Sequence, residues 1–286
     1  MGITERLAAP SRDDLASLQQ LVVESRWNQS PEDWDVFLRL GTVHVVRDEA
    51  GRIVASGAVL PMGASPVAWI SMILVMPARR GVGLGRAVFG ACLRQIQFEG
   101  RIPMLDATPA GEALYTQFGF RPQWRLARWR REASERDARN AGLSRSLQRQ
   151  PAGEALQGLV KLDAAALGFD RRTLLEQLAD RRGSVCVAGG EAAGLVREGR
   201  TARHVGPLLA RSEAAAGPLL RDIVDAEDAA LLIDLRDARP LLRATLEAAG
   251  FRHERPFARM ALLAPGQVLP AGDDALLHAV AGPEYA

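Results

Sequence analysis

The chain has 286 residues, 48% of them apolar, and a formal net charge of +2. That length holds two modest domains, and so small a net charge argues against a nucleic-acid footprint. No apolar run reaches the ~18–20 residues of a membrane span, and no basic block followed by an apolar one marks a secretory signal.

Residues 3–8 read as a first strand. Ser11-Arg12-Asp13-Asp14 starts a helix, with Ser11 as N-cap and Asp14 at the capping-box position, and Ser30-Pro31 starts a second. Val43–Val46 and Ile53–Leu60 alternate as a hairpin around Asp48-Glu49-Ala50-Gly51. A β-rich run from Ala68 to Met76 ends at Pro77. Then comes Arg80-Gly81-Val82-Gly83-Leu84-Gly85-Arg86, and a helix from Arg86 to Phe98 with Val88, Cys92, Leu93 and Ile96 at helical spacing. Ile102–Asp106 is a short strand, and the turn Ala107–Gly111 leads into a helix carrying Tyr115. Gly119 ends that helix as a left-handed cap residue would, and Phe120 opens the next segment. Arg125–Arg130 reads as the strand that completes this sheet.

A glycine-dense turn between strand and helix is a device for holding phosphate. Without Cβ atoms the backbone approaches the ligand closely, and the free N–H groups of the first helical turn face the anion. Arg80 and Arg86 flank the turn and can add charge-assisted hydrogen bonds. No Gly-Lys-Ser/Thr follows, so the turn is not a nucleotide P-loop. Asp106 lies near the distance that a dinucleotide fingerprint asks of its acidic residue, which leaves that reading open.

The order Arg-x-x-Gly-x-Gly, from Arg80 through Gly83 to Gly85, resembles the acetyl-CoA pyrophosphate loop of the GNAT N-acetyltransferase superfamily. Leu114-Tyr115-Thr116-Gln117-Phe118-Gly119-Phe120 resembles the same family's late helix and its exit. The resemblance covers roughly residues 3 to 131. It implies an α/β (α+β) fold, a mixed and mostly antiparallel sheet flanked by helices, with acetyl-CoA in the splay between the fourth and fifth strands. Residues 132–153 turn charged and polar and read as a linker.

Residues 154–264 replay the pattern. Asp170–Leu178 is helical, and Ser184–Ala188, Ala192–Glu198 and Ala202–Leu209 are strands. Glu213–Val224 is a helix, Ala230–Leu235 a strand, Pro240–Ala249 a helix and Phe257–Leu263 the final strand. Gly250-Phe251 closes its helix as Gly119-Phe120 closes the earlier one, so the chain reads as an internal repeat. The second unit has Gly206–Ser212 where a phosphate turn would lie, and Leu246 where the first has Tyr115. The arrangement resembles bacterial tandem GNAT proteins with an appended, degenerate GNAT-like domain. The expected organisation is a catalytic domain 1–131, a linker 132–153, a degenerate domain 154–264, and a loosely held tail 265–286.

The resemblance implies backbone contacts to the pantetheine arm from Ile73, Leu74 and Val75. It places the pyrophosphate on Arg80, Gly81, Val82, Gly83, Leu84, Gly85 and Arg86. Tyr115 is the candidate general acid for the leaving sulfur; the other tyrosine is Tyr285. The family often carries a carboxylate on the fourth strand, where this chain has only Ser71. Asp106 is therefore the first candidate base or ammonium ligand, with Glu112 second. Trp27, Asn28 and Trp34 fall in the region that covers the acceptor site, as pocket wall or as core. His44 reads as core, and His204 lies beside the degenerate turn. Cys92 and Cys186 read as buried thiols of a cytoplasmic protein, with no disulfide and no metal site. The expected activity is acetyl transfer from acetyl-CoA to a primary amine of a small molecule or peptide, by direct attack in a ternary complex. No nucleic-acid or membrane partner is implied, and the protein would be a monomer or homodimer. Two other readings stay open: a non-catalytic acyl-CoA sensor, and a transferase of a different acyl group.

Overall fold

The computed structural model describes residues 3–133 and 152–286. The first half runs β1 (Thr4–Arg6), α1 (Arg12–Glu24), α2 (Pro31–Leu40), β2 (Thr42–Arg47), β3 (Ile53–Pro61), β4 (Val67–Val75), α3 (Leu84–Phe98), β5 (Ile102–Ala107), α4 (Pro109–Gln117) and β6 (Arg121–Arg131). The second runs α5 (Ala152–Leu167), α6 (Arg172–Ala179), β7 (Val185–Gly189), β8 (Ala192–Arg197), β9 (Arg203–Ala210), α7 (Glu213–Ala226), β10 (Leu231–Arg236), α8 (Pro240–Ala248), β11 (Arg252–Ala261) and β12 (Leu277–Ala279). Most of the expected linker lies outside the described residues. The sequence reading has no counterpart for α5, whose run of alanines offers little contrast between its faces.

Local chemistry sets the helix starts. The Ser11 Oγ accepts from the Asp14 N–H at 3.1 Å, and the Asp14 carboxylate accepts from the Ser11 N–H at 2.9 Å, a complete capping box. At α2 the Asp33 carboxylate accepts from the Ser30 N–H at 2.6 Å, and Pro31 occupies the first turn, where no N–H is needed. Thr108 caps α4 by accepting from the Gly111 N–H.

The twelve strands of the described residues form one sheet in the order β1-β2-β3-β4-β5-β11-β6-β10-β12-β9-β8-β7. Pairing is antiparallel except for β4 with β5 and β9 with β10. β6 does not complete the first half against β5, contrary to the sequence reading. β11, from the second half, pairs with β5, while β6 lies between β11 and β10. The closing strands are exchanged between the halves. Both carry similar apolar alternation, so pattern alone cannot say which strand sits beside β5. One apolar cluster consequently joins Leu18, Phe37 and Met72 of the first half to Leu159, Leu195, Leu209 and Tyr285 of the second.

Each half contains a parallel pair that diverges. β4 and β5 pair only from Val67–Ile102 to Trp69–Met104, and β9 and β10 only from Arg203–Leu231 to Val205–Ile233. The first divergence stays open. The second is filled by β12, which pairs with β9 at Leu277–Leu209 and with β10 at Ala279–Leu235.

The expectation of a loosely held tail is therefore corrected. Tyr285 is fully buried, stacks on Phe37 with ring centroids 5.4 Å apart, and donates its hydroxyl to Asp33 Oδ1 at 2.6 Å. The Pro-, Gly- and Asp-rich composition that suggests looseness serves turns between buried points. Gly282 has φ 132°, and a Cβ there would lie 2.6 Å from the Glu284 carboxylate, so only glycine allows this turn.

Candidate active site

The bend that opens the first cleft is a β-bulge in β4. Pairing with β3 slips between Ser56–Leu74 and Ala58–Ser71, and Met72 takes φ 53°, a left-handed conformation costly for a side chain of this kind. The Ser56 hydroxyl ties the bulge by donating to the Met72 carbonyl at 2.9 Å. From Ile70 onward the edge of β4 facing β5 has no strand partner. The resulting cleft of about 990 Å³ runs from this edge to α3, α4 and the second half.

At one end, Arg80, Gly81, Gly83, Leu84 and Gly85 line the cleft. Gly83 is the N-cap of α3 at φ 87° and supplies no side-chain cap, so the first-turn N–H groups remain open to an anion. A Cβ at Gly81 or Gly83 would meet nothing within 4 Å. The glycines therefore serve conformation and access, not packing, which fits a cradle for a pyrophosphate. Ile73, Leu74 and Val75 also line the cleft. Val82 points outward, 67% exposed. Arg86 is not a lining residue: it turns to α4, donating to Gln117 Oε1 at 2.5 Å with its guanidinium 5.1 Å from the Phe118 ring centroid.

Tyr115 lines the cleft from α4. Its ring packs against Phe89 with centroids 4.6 Å apart, which holds it in place. Its hydroxyl has no hydrogen-bond partner among the described residues, and burial pushes its pKa up, keeping the proton on oxygen.

The other expected site residues are placed differently. Asp106 reaches the cleft wall, but both its oxygens accept from Arg259, at 2.9 and 2.8 Å. Arg259 itself lies between Trp69 and Trp124, 4.6 and 4.2 Å from their ring centroids. Burial raises the Asp106 pKa and Arg259 opposes the rise. Asp106 is thus half of a structural pair rather than an open base. Glu112 faces away from the cleft and binds Arg125 at 2.7 and 3.2 Å. Trp34 is 1% exposed and edge-packed on Phe37, which makes it core. Asn28 is an interdomain clamp: its Oδ1 accepts from Thr201 and Ala202, and its Nδ2 donates to the Ala202 carbonyl at 2.9 Å. Trp27 does line the cleft, with Gln29 beside it.

The second half contributes what the sequence reading missed. Arg255, Phe257, Pro283 and Glu284 join Arg128 of β6 in lining the cleft. Pro283 is held by the Trp69 indole N–H, which donates to its carbonyl at 2.9 Å. Arg128 is satisfied by Asp234, donating to both oxygens at 2.8 Å. Arg197 donates to Glu284 Oε1 at 2.8 Å and to His204 Nδ1 at 2.6 Å. His204 must then carry its proton on Nε2, which donates to Asp234 Oδ2 at 2.8 Å. Nothing local in the sequence marks Glu284; its role depends on where the last ten residues pack.

Burial and Arg197 hold His204 neutral, its pKa lowered to about 4 from 6.5. The unfolded chain therefore binds an extra proton between those values. Stability is complete above about pH 6.5 and falls as pH drops toward 4, by ~3 kcal/mol from this group at the extreme. His278, lowered in the same way to about 4, adds to the same trend. The urea midpoint should fall steadily from pH 7 to pH 4.5, with a shallower fall in His204→Gln; an equal slope in that variant would refute the assignment.

Residues 39–122 match a family model described as an acetyltransferase (GNAT) domain, and residues 159–269 match a second model of the same description. The chain belongs to the GNAT acetyltransferase family, with two such domains in tandem. An uncharacterized N-acetyltransferase of Bacillus subtilis (strain 168), YitH, is 20% identical over 260 residues, covering 89% of this chain and 90% of that one. A solved protein from Pyrococcus horikoshii superposes with TM-score 0.74 at 20% identity, covering 99% and 96% of the two chains. A tandem GNAT protein from the clavulanic acid biosynthesis pathway does so with TM-score 0.61 at 16% identity, covering 91% and 98%. These likenesses establish the tandem GNAT fold across the chain. Among the described residues no helix is long and apolar enough to cross a membrane, and no cluster of metal-ligating side chains is present.

Proposed function

We propose that this tandem GNAT protein is an acetyl-CoA-dependent N-acetyltransferase acting on a primary amine of a small molecule or peptide, by direct attack in a ternary complex in the cytoplasm. The observation that carries the reading is the open β4–β5 cleft, with uncapped α3 N–H groups at one end and the Tyr115 hydroxyl along its wall. Acetyl-CoA supplies an activated thioester when bound. Arg80 and the glycine turn hold its pyrophosphate, and the unpaired edge of β4 offers N–H groups to the arm and to the acetyl oxygen. The Tyr115 hydroxyl protonates the departing sulfur. The free thiols Cys92 and Cys186 support a reducing compartment. The second domain is read as non-binding, because β12 occupies the cleft where a donor would enter.

Calorimetry tests the donor. The wild type should bind acetyl-CoA, and the double variant Arg80→Ala/Gly83→Trp should not. A bulky residue at Gly83 blocks the cradle and strains a left-handed position by ~1–2 kcal/mol. Absence of binding by the wild type would overturn the proposal. Binding with no transfer to any amine would favour the sensor reading instead.

A further inference from the structure

The cleft has two faces. Tyr115 belongs to the cluster of Phe89, Phe120 and Ala258 under α3 and α4, while Phe257 belongs to the cluster under α1 and α2. Arg255 and Arg128 sit over Phe257, at 5.4 and 5.5 Å from its ring centroid, so they share that opposite face. An acceptor approaching a thioester in the plane of the sheet would therefore meet Trp27, Arg255, Phe257 and Glu284, with Tyr115 behind the bond to be broken.

Two charged groups on this face are incompletely used. Glu284 is 5% exposed, and its Oε2 has no hydrogen-bond partner among the described residues, although Oε1 is held by Arg197. The Arg255 Nε is buried without a hydrogen bond; its one carboxylate contact among the described residues, a long ion pair to Glu254 at 3.8 Å, lies beyond hydrogen-bond range, and the side chain is 28% exposed. Leaving such groups unmatched is costly, and a ligand that supplies both complements removes the cost. A neighbouring basic residue does not serve: Arg128 is committed to Asp234.

Building on the acetyltransferase reading, we propose that Glu284 accepts the proton of the acceptor ammonium and Arg255 binds a carboxylate on the same acceptor, so that the substrate class is amino acids rather than simple amines. The second domain thus lends the first its acid–base residue, from the end of the segment that also plugs its own cleft. In the reaction the ammonium gives one proton to the free oxygen of Glu284, directly or through one water. The nitrogen lone pair forms the C–N bond, the C–S bond breaks, and the sulfur takes the Tyr115 proton. The nitrogen gives its second proton to solvent water. Glu284 then releases its proton to solvent and Tyr115 takes one back, so that one proton is released overall. Burial raises the Glu284 pKa, opposed by Arg197 on β8 and Arg128 on β6 and reinforced by Asp33 on α2. Arg255 on β11 also feels the Glu284 charge, and His204 on β9 is neutral. The carboxylate is thereby a better proton acceptor than an exposed glutamate.

The test measures thiol release from acetyl-CoA with L-amino acids, each paired with the amine lacking its carboxylate. At least one amino acid should exceed its paired amine tenfold or more in kcat/KM. Arg255→Leu should raise KM for that amino acid at least tenfold and so remove most of its advantage over the paired amine. Glu284→Gln should lower kcat about a hundredfold and abolish the rise of rate with pH on the acid side, with acetyl-CoA affinity unchanged. Glu284→Asp, which keeps the charge beside Arg197, should restore part of the rate and guards against misfolding. A preference for the simple amines, a preference that survives Arg255→Leu, an intact acid limb in Glu284→Gln, or no transfer to either set by protein that binds acetyl-CoA would each overturn the inference. Failure to bind acetyl-CoA would instead overturn the donor reading on which it rests.

Discussion

Tyr115→Phe should lower kcat by about 10²–10⁴-fold and leave acetyl-CoA binding within a factor of about two, a change worth ~0.4 kcal/mol. The separation is expected because the ring and the hydroxyl do different jobs. The ring is packed on Phe89 and near Phe120, and phenylalanine keeps those contacts. The hydroxyl has no partner among the described residues, so its removal strands no buried donor or acceptor. What is lost is a proton donor facing the cleft. Burial raises the Tyr115 pKa, so the acid form persists through neutral pH and the wild-type rate should not fall on the alkaline side from this group. Calorimetry beside steady-state thiol release makes the comparison. A kcat within threefold of wild type would remove Tyr115 from the chemistry.

Asp234→Ala should destabilise the fold by ~3–5 kcal/mol, the range for removing one partner of a buried ion pair. Asp234 is fully buried and accepts two hydrogen bonds from Arg128 and one from His204. Its pKa is held low: burial opposes ionisation, but Arg128 and the His204 hydrogen bond outweigh it. Truncation would leave the Arg128 guanidinium, 3% exposed, without a counter-ion on a strand that both halves share. Glu112→Ala provides the contrast. Its partner Arg125 is half exposed, and such a surface pair is worth ~0–1 kcal/mol. Urea titrations of the two variants should therefore differ severalfold in lost stability. A loss below about 1 kcal/mol in Asp234→Ala would mean that Arg128 is not left as an uncompensated buried charge, and would refute the expectation.

Much of the fold was legible locally. The capping box at Ser11 and Asp14, the hairpin from Thr42 to Pro61 and the helix exit at Gly119 each depend on residues within a few positions of one another. The glycine turn before α3 belongs to the same class. Gly83 sits at positive φ where the α3 N-terminus opens to the cleft, as the Arg-x-x-Gly-x-Gly order implies. Backbone conformation at such points follows from side-chain size and capping chemistry, which the sequence displays directly.

The site was legible only in part. Arg80, the glycines and Tyr115 were readable because a motif carries them. Asp106 was readable as a carboxylate at the right strand end, but its partner Arg259 lies 153 residues away. Asn28 looked like a pocket residue, yet its side chain is spent on Thr201 and Ala202. Glu284 sits in a segment whose composition reads as a tail.

The sequence by itself determined the family, the two-unit plan, the glycine turn before α3 and most of the order of helices and strands, α5 and β12 excepted, because these rest on short-range periodicity, capping and glycine conformations. Only the tertiary structure decided that β11 and β6 change places, that β12 closes the second cleft, and that Glu284 and Arg255 reach the first. The physical reason is that strand neighbours and buried charge partners are selected by the joint burial of residues more than a hundred positions apart, and no local pattern encodes that choice.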